Sequence, residues 1–231
     1  MKTDVFSIKY TERDESWLHG GEVAVPLEIT YRDGVADIEY YPAALDLVSE
    51  FARLYGESEQ TMFSRAASEW LAQHFEFFLA SHGFSMSPDC EDYYTVYTLT
   101  PSNLPADNIV RLQSPCEYND LTGTDIDGLL DGGYIIYAAV IDENIAALAN
   151  TGVPIDTDAP GEIEIGVDTA EAYRRRGLGA ACVRALTNEL CRMGHTVTYE
   201  CASGNAASVG LAESVGGKVT AKKIYIVGFA E

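Results

Sequence analysis

The chain has 231 residues, of which 47 % are hydrophobic, and its formal net charge is -21. This composition is typical of a globular protein with one large core or two smaller ones. The acidic excess argues against nucleic acid and anionic membrane surfaces as partners and favours cationic ones, although solubility or a high-salt cytoplasm would explain it equally well. It lies entirely in residues 1–160, with 28 acidic and 7 basic side chains, whereas residues 161–231 carry 8 of each.

The sequence carries no signal for export, membrane insertion or metal binding. No run approaches about eighteen consecutive apolar residues, and the amino terminus lacks the apolar stretch of a signal peptide. The cysteines include no CxxC pair and the histidines are scattered, which predicts reduced thiols, mostly buried, and no metal site. We therefore expect a cytoplasmic protein.

The first elements predicted along the chain are a hairpin and a helix. Two β-prone runs, Glu22–Tyr31 and Val35–Tyr41, flank Asp33-Gly34, a dipeptide typical of hairpin turns. Pro42 suits a first helical position and Gly56 a helix end, so the segment between them is predicted to be a helix.

A single long amphipathic helix is predicted from Thr61 to His82, with its aromatic stripe in the core. A strand signal follows at Asp92–Pro101, and the Pro, Asn and Asp content of Ser102–Asn108 is typical of a linker. We expect residues 1–103 to form an α+β region of unknown role and residues 104–231 to form a second domain.

Beyond the linker the predicted elements are mostly strands. Asn108–Gln113 predicts a strand, Glu117–Leu130 a short helical or irregular segment, and Gly133–Ile141 a buried strand. Asp142-Glu143-Asn144 predicts a turn into Ile145–Asn150, so the last two runs form a second predicted hairpin.

Three of only fifteen basic residues stand side by side at Arg174, Arg175 and Arg176, directly before Gly177-Leu178-Gly179. Glu162–Val167 before them alternates like a strand, and the residues after them have helical spacing. A helix start after a glycine turn binds anions, because its first N–H groups have no internal partner and glycine lets a ligand approach the backbone. Arginines add charge-assisted hydrogen bonds. The stretch predicts a pyrophosphate cradle.

The stretch Thr196–Phe229 predicts a strand, a helix and a strand. Asn205 and Ser208 open this helix, and asparagine is among the best N-cap residues. Cys201 is predicted to be a buried strand residue rather than a nucleophile, because no histidine stands near it in the sequence to activate it.

Arg174, Gly177 and Gly179 fill the fixed positions of the (Gln/Arg)-x-x-Gly-x-(Gly/Ala) motif, and the chain thereby resembles the GCN5-related N-acetyltransferase superfamily. Asn205 and Ser208 resemble its second block, an Asn-x-x-Ser at a helix start. The chain looks like a bacterial branch with an additional amino-terminal region. The resemblance implies an α/β fold with a mixed, mostly antiparallel sheet flanked by helices, preceded by a smaller α+β region.

The resemblance also implies acetyl-CoA as the cosubstrate, without a metal. The cosubstrate would lie between two parallel strands around Val167 and Tyr199, with its pyrophosphate on the N–H groups that precede Ala180. The implied cofactor-binding residues are Val167, Thr169, Arg174, Arg175, Arg176, Gly177, Leu178, Gly179, Ala180, Asn205 and Ser208.

The implied reaction is direct attack of a primary amine on the thioester, which needs a base. Glu164 and Glu162 are the candidates, as carboxylates on the cofactor strand, and both can equally be solvent-side residues of an alternating strand. The strand usually carries a bulge in the family, which would change the side that each residue faces.

The proton donor to the leaving thiolate is less clear. The family's usual acid is a tyrosine that aligns with Ala212 here, so Ser208, Tyr199 or Tyr225 would have to substitute, or the thiolate needs no acid. The missing tyrosine leaves open a non-catalytic acyl-CoA-binding or regulatory module. The anion site alone leaves open a nucleotide-binding protein.

The expected acceptor is a small-molecule amine or a peptide. The acidic charge favours a polyamine, an aminoglycoside or a Lys-rich peptide. Neither nucleic acid nor a membrane is expected as a partner, and a homodimer is an open option.

Overall fold

A computed structural model describes residues 6–19, 21–88, 93–104, 108–155 and 159–230 of the protein. The chain divides into two compact units. The first takes Met1–Val96, Ala202–Gly204 and Thr220–Glu231, and the second takes Tyr97–Cys201 and Asn205–Val219. The division into domains near residue 103 stays a prediction.

The described residues form strands and α-helices in alternating groups. In chain order they are β1 (Ser7–Glu12), β2 (Val23–Arg32), β3 (Val35–Tyr40), α1 (Leu45–Tyr55), α2 (Glu59–Met62), α3 (Arg65–Ala80), β4 (Phe84–Met86), β5 (Tyr94–Leu99), β6 (Ile109–Arg111), β7 (Asn119–Asp120), α4 (Ile126–Asp131), β8 (Ile136–Ile141), β9 (Asn144–Thr151), β10 (Glu162–Thr169), α5 (Leu178–Arg192), β11 (Thr196–Ala202), α6 (Ala206–Ser214) and β12 (Lys218–Ala230).

In the first unit, the hairpin and the first helix are confirmed. β2 and β3 pair antiparallel from Leu27↔Tyr40 to Arg32↔Val35. Asp33 and Gly34 between them both have positive φ, as a tight hairpin turn requires. β1 joins β3 in parallel, and both β2 and β4 pair antiparallel with β12.

The prediction of one helix from Thr61 to His82 is wrong, because the helix is interrupted at Phe63 and Ser64. Ser64 has an extended backbone, and its Oγ accepts the N–H of Ala67 at 3.2 Å, so it caps a new helix, α3. The predicted aromatic stripe of α3 lies in the core of the first unit, where Phe75 is fully buried.

In the second unit, the strand order β11-β10-β9-β8-β6 is mixed and mostly antiparallel. β10 pairs in parallel with β11, and β7 with β9, whereas β9 is antiparallel to both β10 and β8, and β6 is antiparallel to β8. Helix α5 packs on one face with Ala139 and Ala147, and α4 packs on the other with Ala138 and Leu148. The predicted α/β fold class and the predicted elements from β8 to β12 are confirmed.

Candidate functional site

A cleft of about 990 Å³ opens in the second unit where β10, α5, β11 and α6 meet. Its wall contains the end of β10, the turn and first residues of α5, Tyr199 of β11, and one side of α6. Most of the residues that the sequence predicts for cofactor binding line it. They are Val167, Thr169, Arg174, Arg175, Gly177, Leu178, Gly179, Ala180, Asn205 and Ser208.

The cleft exists because β10 and β11 separate. Their parallel pairing runs from Glu162↔Thr196 to Glu164↔Thr198. β10 then continues to Thr169 against β9 on its other side, and β11 continues to Ala202. Val167 and Tyr199 therefore line opposite sides of an opening between two parallel strands.

The start of α5 presents backbone donors at one end of the cleft. Gly177 stands at the N-cap with φ +77, and no side chain among the described residues caps the helix. Ala181 N–H bonds to the Gly177 carbonyl at 3.1 Å. In helix geometry the N–H groups before Ala181 have no intrahelical acceptor. Those of Leu178, Gly179 and Ala180 are thus available to an anion.

The three arginines take different positions. Arg174 and Arg175 line the cleft, and Arg174 Nε donates to the Thr169 carbonyl at 3.2 Å. Arg175 has φ 62, a left-handed conformation that is uncommon outside glycine. Arg176 is absent from the cleft wall, and its guanidinium lies 5.1 Å from the ring centre of Tyr173. Two of the three arginines therefore line the cleft.

The two glycines of the motif have different roles. Gly177 has open space around it and is needed for its positive φ. A Cβ on Gly179 would lie 2.9 Å from Thr169 Oγ1 and 3.2 Å from Val167 Cγ2. Gly179 therefore lets α5 approach β10 closely, and its Cβ direction points towards the strand.

The start of α6 carries a side-chain cap. Asn205 Oδ1 accepts the Ser208 N–H at 3.1 Å, as expected for an N-cap. Tyr199, which lines the cleft beside this helix start, is only 5 % exposed. Burial raises the pKa of Tyr199, so its phenol stays protonated at neutral pH.

Glu162 and Glu164 are absent from the cleft wall and lie on the face of β10 opposite α5. Both are exposed, whereas Ile163 and Ile165 between them pack in the core beneath α5. β10 pairs with β9 from Ile165 to Thr169 without a register shift, so the bulge expected from the family does not change this alternation. Glu164 is the last β10 residue in the printed pairing with β11, at the point where the opening begins.

Two residues that the sequence raised in connection with catalysis face the core. Cys201 is 5 % exposed, as predicted, and burial raises the pKa of its thiol. Ala212 is fully buried in the core. Ala212 is absent from the cleft wall, and its correspondence to the family's tyrosine stays a prediction.

Several cleft residues were not predicted from the sequence. Leu211 and Ser214 follow Ser208 at three-residue steps along α6 and line the cleft with it. This helical spacing was readable from the sequence. Tyr173, which lines the cleft beside the arginines, carries no spacing signal.

Metal sites and membrane-spanning helices can be assessed for the described residues only. The described part of the chain has no group of three or more His, Cys, Asp or Glu side chains that could hold a metal ion. Among the described residues, no helix is long and apolar enough to cross a membrane.

Comparison with known proteins agrees with the geometry. The GNAT acetyltransferase family model matches residues 133–224, which include the whole cleft wall. This part of the chain is therefore similar to GNAT acetyltransferases, as its sequence motif predicted. Acyl transfer is the general activity that the match supports. No curated protein matches the sequence of this chain.

Solved structures similar to this chain have low sequence identity to it. A GNAT-family acetyltransferase from Novosphingobium aromaticivorans is 22 % identical, over 60 % of this chain and 65 % of that one, with a TM-score of 0.49. One from Colwellia psychrerythraea is 15 % identical over 59 % and 55 %, with a TM-score of 0.46. A GCN5-related N-acetyltransferase-like protein from Streptococcus suis is 17 % identical over 85 % and 71 %, with a TM-score of 0.44. The chain thus spans less than two thirds of the first two.

Proposed function

We propose that the GNAT domain transfers an acetyl group from acetyl-CoA to a primary amine by direct attack in a ternary complex. The observation that carries this proposal is the uncapped start of α5, which opens beside Arg174 and Arg175 into the gap between β10 and β11. The cytoplasmic location predicted from the sequence is part of the proposal.

The residues of the cleft fit coenzyme A chemically. A pyrophosphate would accept the N–H groups of Leu178, Gly179 and Ala180, and the helix dipole favours negative charge there. Arg174 and Arg175 would add charge-assisted hydrogen bonds. The pantetheine arm would then run along the separated edge of β10 towards Val167.

The acetyl group would be transferred where the strands begin to separate. An alkylamine with a pKa of about 10.4 is mostly protonated at pH 7, so a base must produce the neutral nucleophile. We assign this role to Glu164, because it stands at the last printed β10–β11 pair, on the face opposite α5 from which an acceptor could approach. Glu162 lies two residues earlier on the same face of β10 and is the second candidate for the base.

The acceptor in this proposal is a cationic amine. The formal net charge of -21 would concentrate cations near the protein, and an acceptor such as a polyamine, an aminoglycoside or a Lys-rich peptide carries the matching charge. Comparable turnover of neutral amino acids and of these cations would contradict the preference without affecting the assignment of acetyl transfer.

Calorimetry followed by thiol-release assays tests the proposal. We expect acetyl-CoA to bind at ligand concentrations below about 1 mM, within the usual range for enzyme substrates, and to release free thiol with at least one amine of a cationic panel. Binding without turnover would favour a non-catalytic acyl-CoA-binding module. Better binding of ATP or NAD than of coenzyme A would favour a nucleotide-binding protein, and absence of all binding would refute the proposal.

Two variants test the assignment of Glu164 as the base. Glu164→Gln keeps the shape of the side chain and removes the proton acceptor, so kcat should fall about 100-fold or more with unchanged affinity for acetyl-CoA. Glu162→Gln is the matched control on the same strand face and should have a much smaller effect. Equal losses from both variants would argue against a specific role for Glu164.

A further inference from the structure

Arg176 is the arginine of the triplet whose position the pyrophosphate does not explain. Arg174 and Arg175 line the cleft at the start of α5, whereas Arg176 is absent from its wall. Arg176 is exposed, and in the described part of the chain its guanidinium forms no hydrogen bond or salt bridge. In a chain with a formal net charge of -21, an arginine without a carboxylate partner is available to an anionic ligand.

Tyr173 holds the Arg176 guanidinium beside the cleft. The guanidinium lies 5.1 Å from the centre of the Tyr173 ring, within the distance of a cation–π contact. Tyr173 is itself part of the cleft wall, and Arg176 directly precedes Gly177, the N-cap of α5. The guanidinium is therefore held at the margin of the cleft, next to the helix start. A guanidinium that packs on a ring can still donate its edge N–H groups to a phosphate.

Coenzyme A carries two separate anionic groups. Its pyrophosphate joins the pantetheine arm to the ribose, and its 3′-phosphate is attached to that ribose. In the proposed function, on which this inference rests, the pantetheine arm lies along β10 and the pyrophosphate accepts the first N–H groups of α5. The ribose then lies past the helix start, at the margin of the cleft. A phosphate monoester has a charge of about -1.5 to -2 at pH 7, so a cation is favoured beside it.

We propose that Arg176 binds the 3′-phosphate of coenzyme A and thereby selects coenzyme A over 3′-dephospho-coenzyme A, with Tyr173 as its positioning residue. The triplet then divides its charges between two anions. Arg174 and Arg175 contact the pyrophosphate, which both ligands contain, and Arg176 contacts the phosphate that only coenzyme A contains. This division accounts for the place of Arg176 outside the cleft wall.

Calorimetry with coenzyme A and 3′-dephospho-coenzyme A tests the contact without knowledge of the acceptor. Wild type should bind coenzyme A about tenfold more tightly at low salt, because a charge-assisted hydrogen bond to phosphate contributes roughly that factor. Arg176→Gln should remove most of this preference and leave the affinity for 3′-dephospho-coenzyme A unchanged. The preference of wild type should also shrink as salt rises, because Arg176 is exposed.

Matched variants make the result specific. Arg175→Gln removes the neighbouring charge that lines the cleft, and it should weaken both ligands by the same factor. Tyr173→Leu removes the ring beneath the guanidinium and should reduce the preference about threefold, whereas Tyr173→Phe keeps the ring and should retain it. A merely structural role of Tyr173 would change the two affinities together and leave their ratio unchanged.

The outcomes separate this inference from the proposed function. Equal affinity of wild type for the two ligands, or an Arg176→Gln variant with the wild-type ratio, would overturn the inference while coenzyme A binding stands. If wild type binds neither ligand, the proposed function fails and the inference fails with it. If Arg176→Gln does not fold, the Tyr173 variants decide: a lower ratio in Tyr173→Leu than in Tyr173→Phe supports the contact, and equal ratios refute it.

Discussion

The two helices that begin at the cleft satisfy their first N–H groups in different ways. In α6 the Asn205 side chain accepts the Ser208 N–H, so the protein caps this helix itself. In α5 the N-cap is Gly177, which has no side chain to offer, and arginines stand beside it. Because buried or ligand-facing N–H groups need acceptors, the uncapped helix is the one suited to an anionic ligand.

This difference assigns separate tasks to the two sequence blocks. The Arg-Arg-Arg-Gly-Leu-Gly block supplies charge and open backbone donors. The Asn-x-x-Ser block supplies a fixed helix start, in which Asn205 Oδ1 accepts the Ser208 N–H. Changes in the first block should therefore act mainly on ligand affinity, and changes in the second mainly on stability.

The largest effect is expected from removing charge beside α5. Arg174→Gln combined with Arg175→Gln should weaken acetyl-CoA binding about 100-fold at low salt, since each exposed charge-assisted contact contributes roughly tenfold. The loss should shrink as salt rises. Arg192→Gln at the other end of α5 is the control and should change affinity less than about twofold. Equal effects of the two changes, measured by calorimetry, would contradict a specific anion site.

The second-largest effect is expected on the free energy of unfolding, from a change in the packing of α5 against β10. Gly179→Ala places a Cβ 2.9 Å from Thr169 Oγ1, so the free energy of unfolding should fall by about 1–3 kcal/mol. Gly210→Ala in α6, where a Cβ meets no atom within 4 Å, should raise it by up to about 1 kcal/mol. Denaturant unfolding measures both. A neutral Gly179→Ala would show that the helix is not held against the strand.

A smaller effect is expected from removing the α6 cap. Asn205→Ala should reduce the free energy of unfolding by about 1 kcal/mol, because the Ser208 N–H loses its acceptor. The melting temperature should then fall by about 2–4 °C for a chain of this length. Asn205→Asp keeps a capping oxygen and should retain most of the stability. A variant with alanine that melts like wild type would mean that the cap is dispensable.

The smallest effect on stability at neutral pH is expected from the hydrogen bond between Tyr137 and Glu189, near the C-terminal end of α5. Tyr137 donates to Glu189 at 2.6 Å, and burial together with this carboxylate raises the tyrosine pKa to about 12. A raised folded-state pKa stabilises the protein below the ordinary tyrosine pKa of about 10, and this contribution is lost as pH rises from about 10 through 12. Melting temperatures of wild type should therefore fall more steeply over this range than those of Tyr137→Phe. An equal fall in melting temperature for the two proteins would contradict this contribution of Tyr137 to stability.

Local patterns predicted most of the fold. The Asp33-Gly34 turn, the strand β10 and the helix α5 follow from turn chemistry and from spacings of two and 3.6 residues. The break before α3 was missed, because the apolar spacing continues across it and only the capping bond of Ser64 reveals it.

The candidate site was predicted less completely. The motif located the start of α5, but it did not distinguish Arg176, which contacts Tyr173, from the two arginines in the cleft. The motif also does not distinguish Gly177 from Gly179. Gly177 is needed for its positive φ, whereas Gly179 is needed because a Cβ there would contact β10 too closely. Such distinctions depend on three-dimensional neighbours that sequence spacing does not encode.

Backbone amide hydrogen exchange with and without acetyl-CoA tests the central claim most directly. The N–H groups of Leu178, Gly179 and Ala180 should exchange much more slowly when acetyl-CoA is bound, because the pyrophosphate supplies their missing acceptors. The Ser208 N–H already has Asn205 as its acceptor and should change far less. Unchanged exchange at the start of α5 in saturating acetyl-CoA would contradict the account.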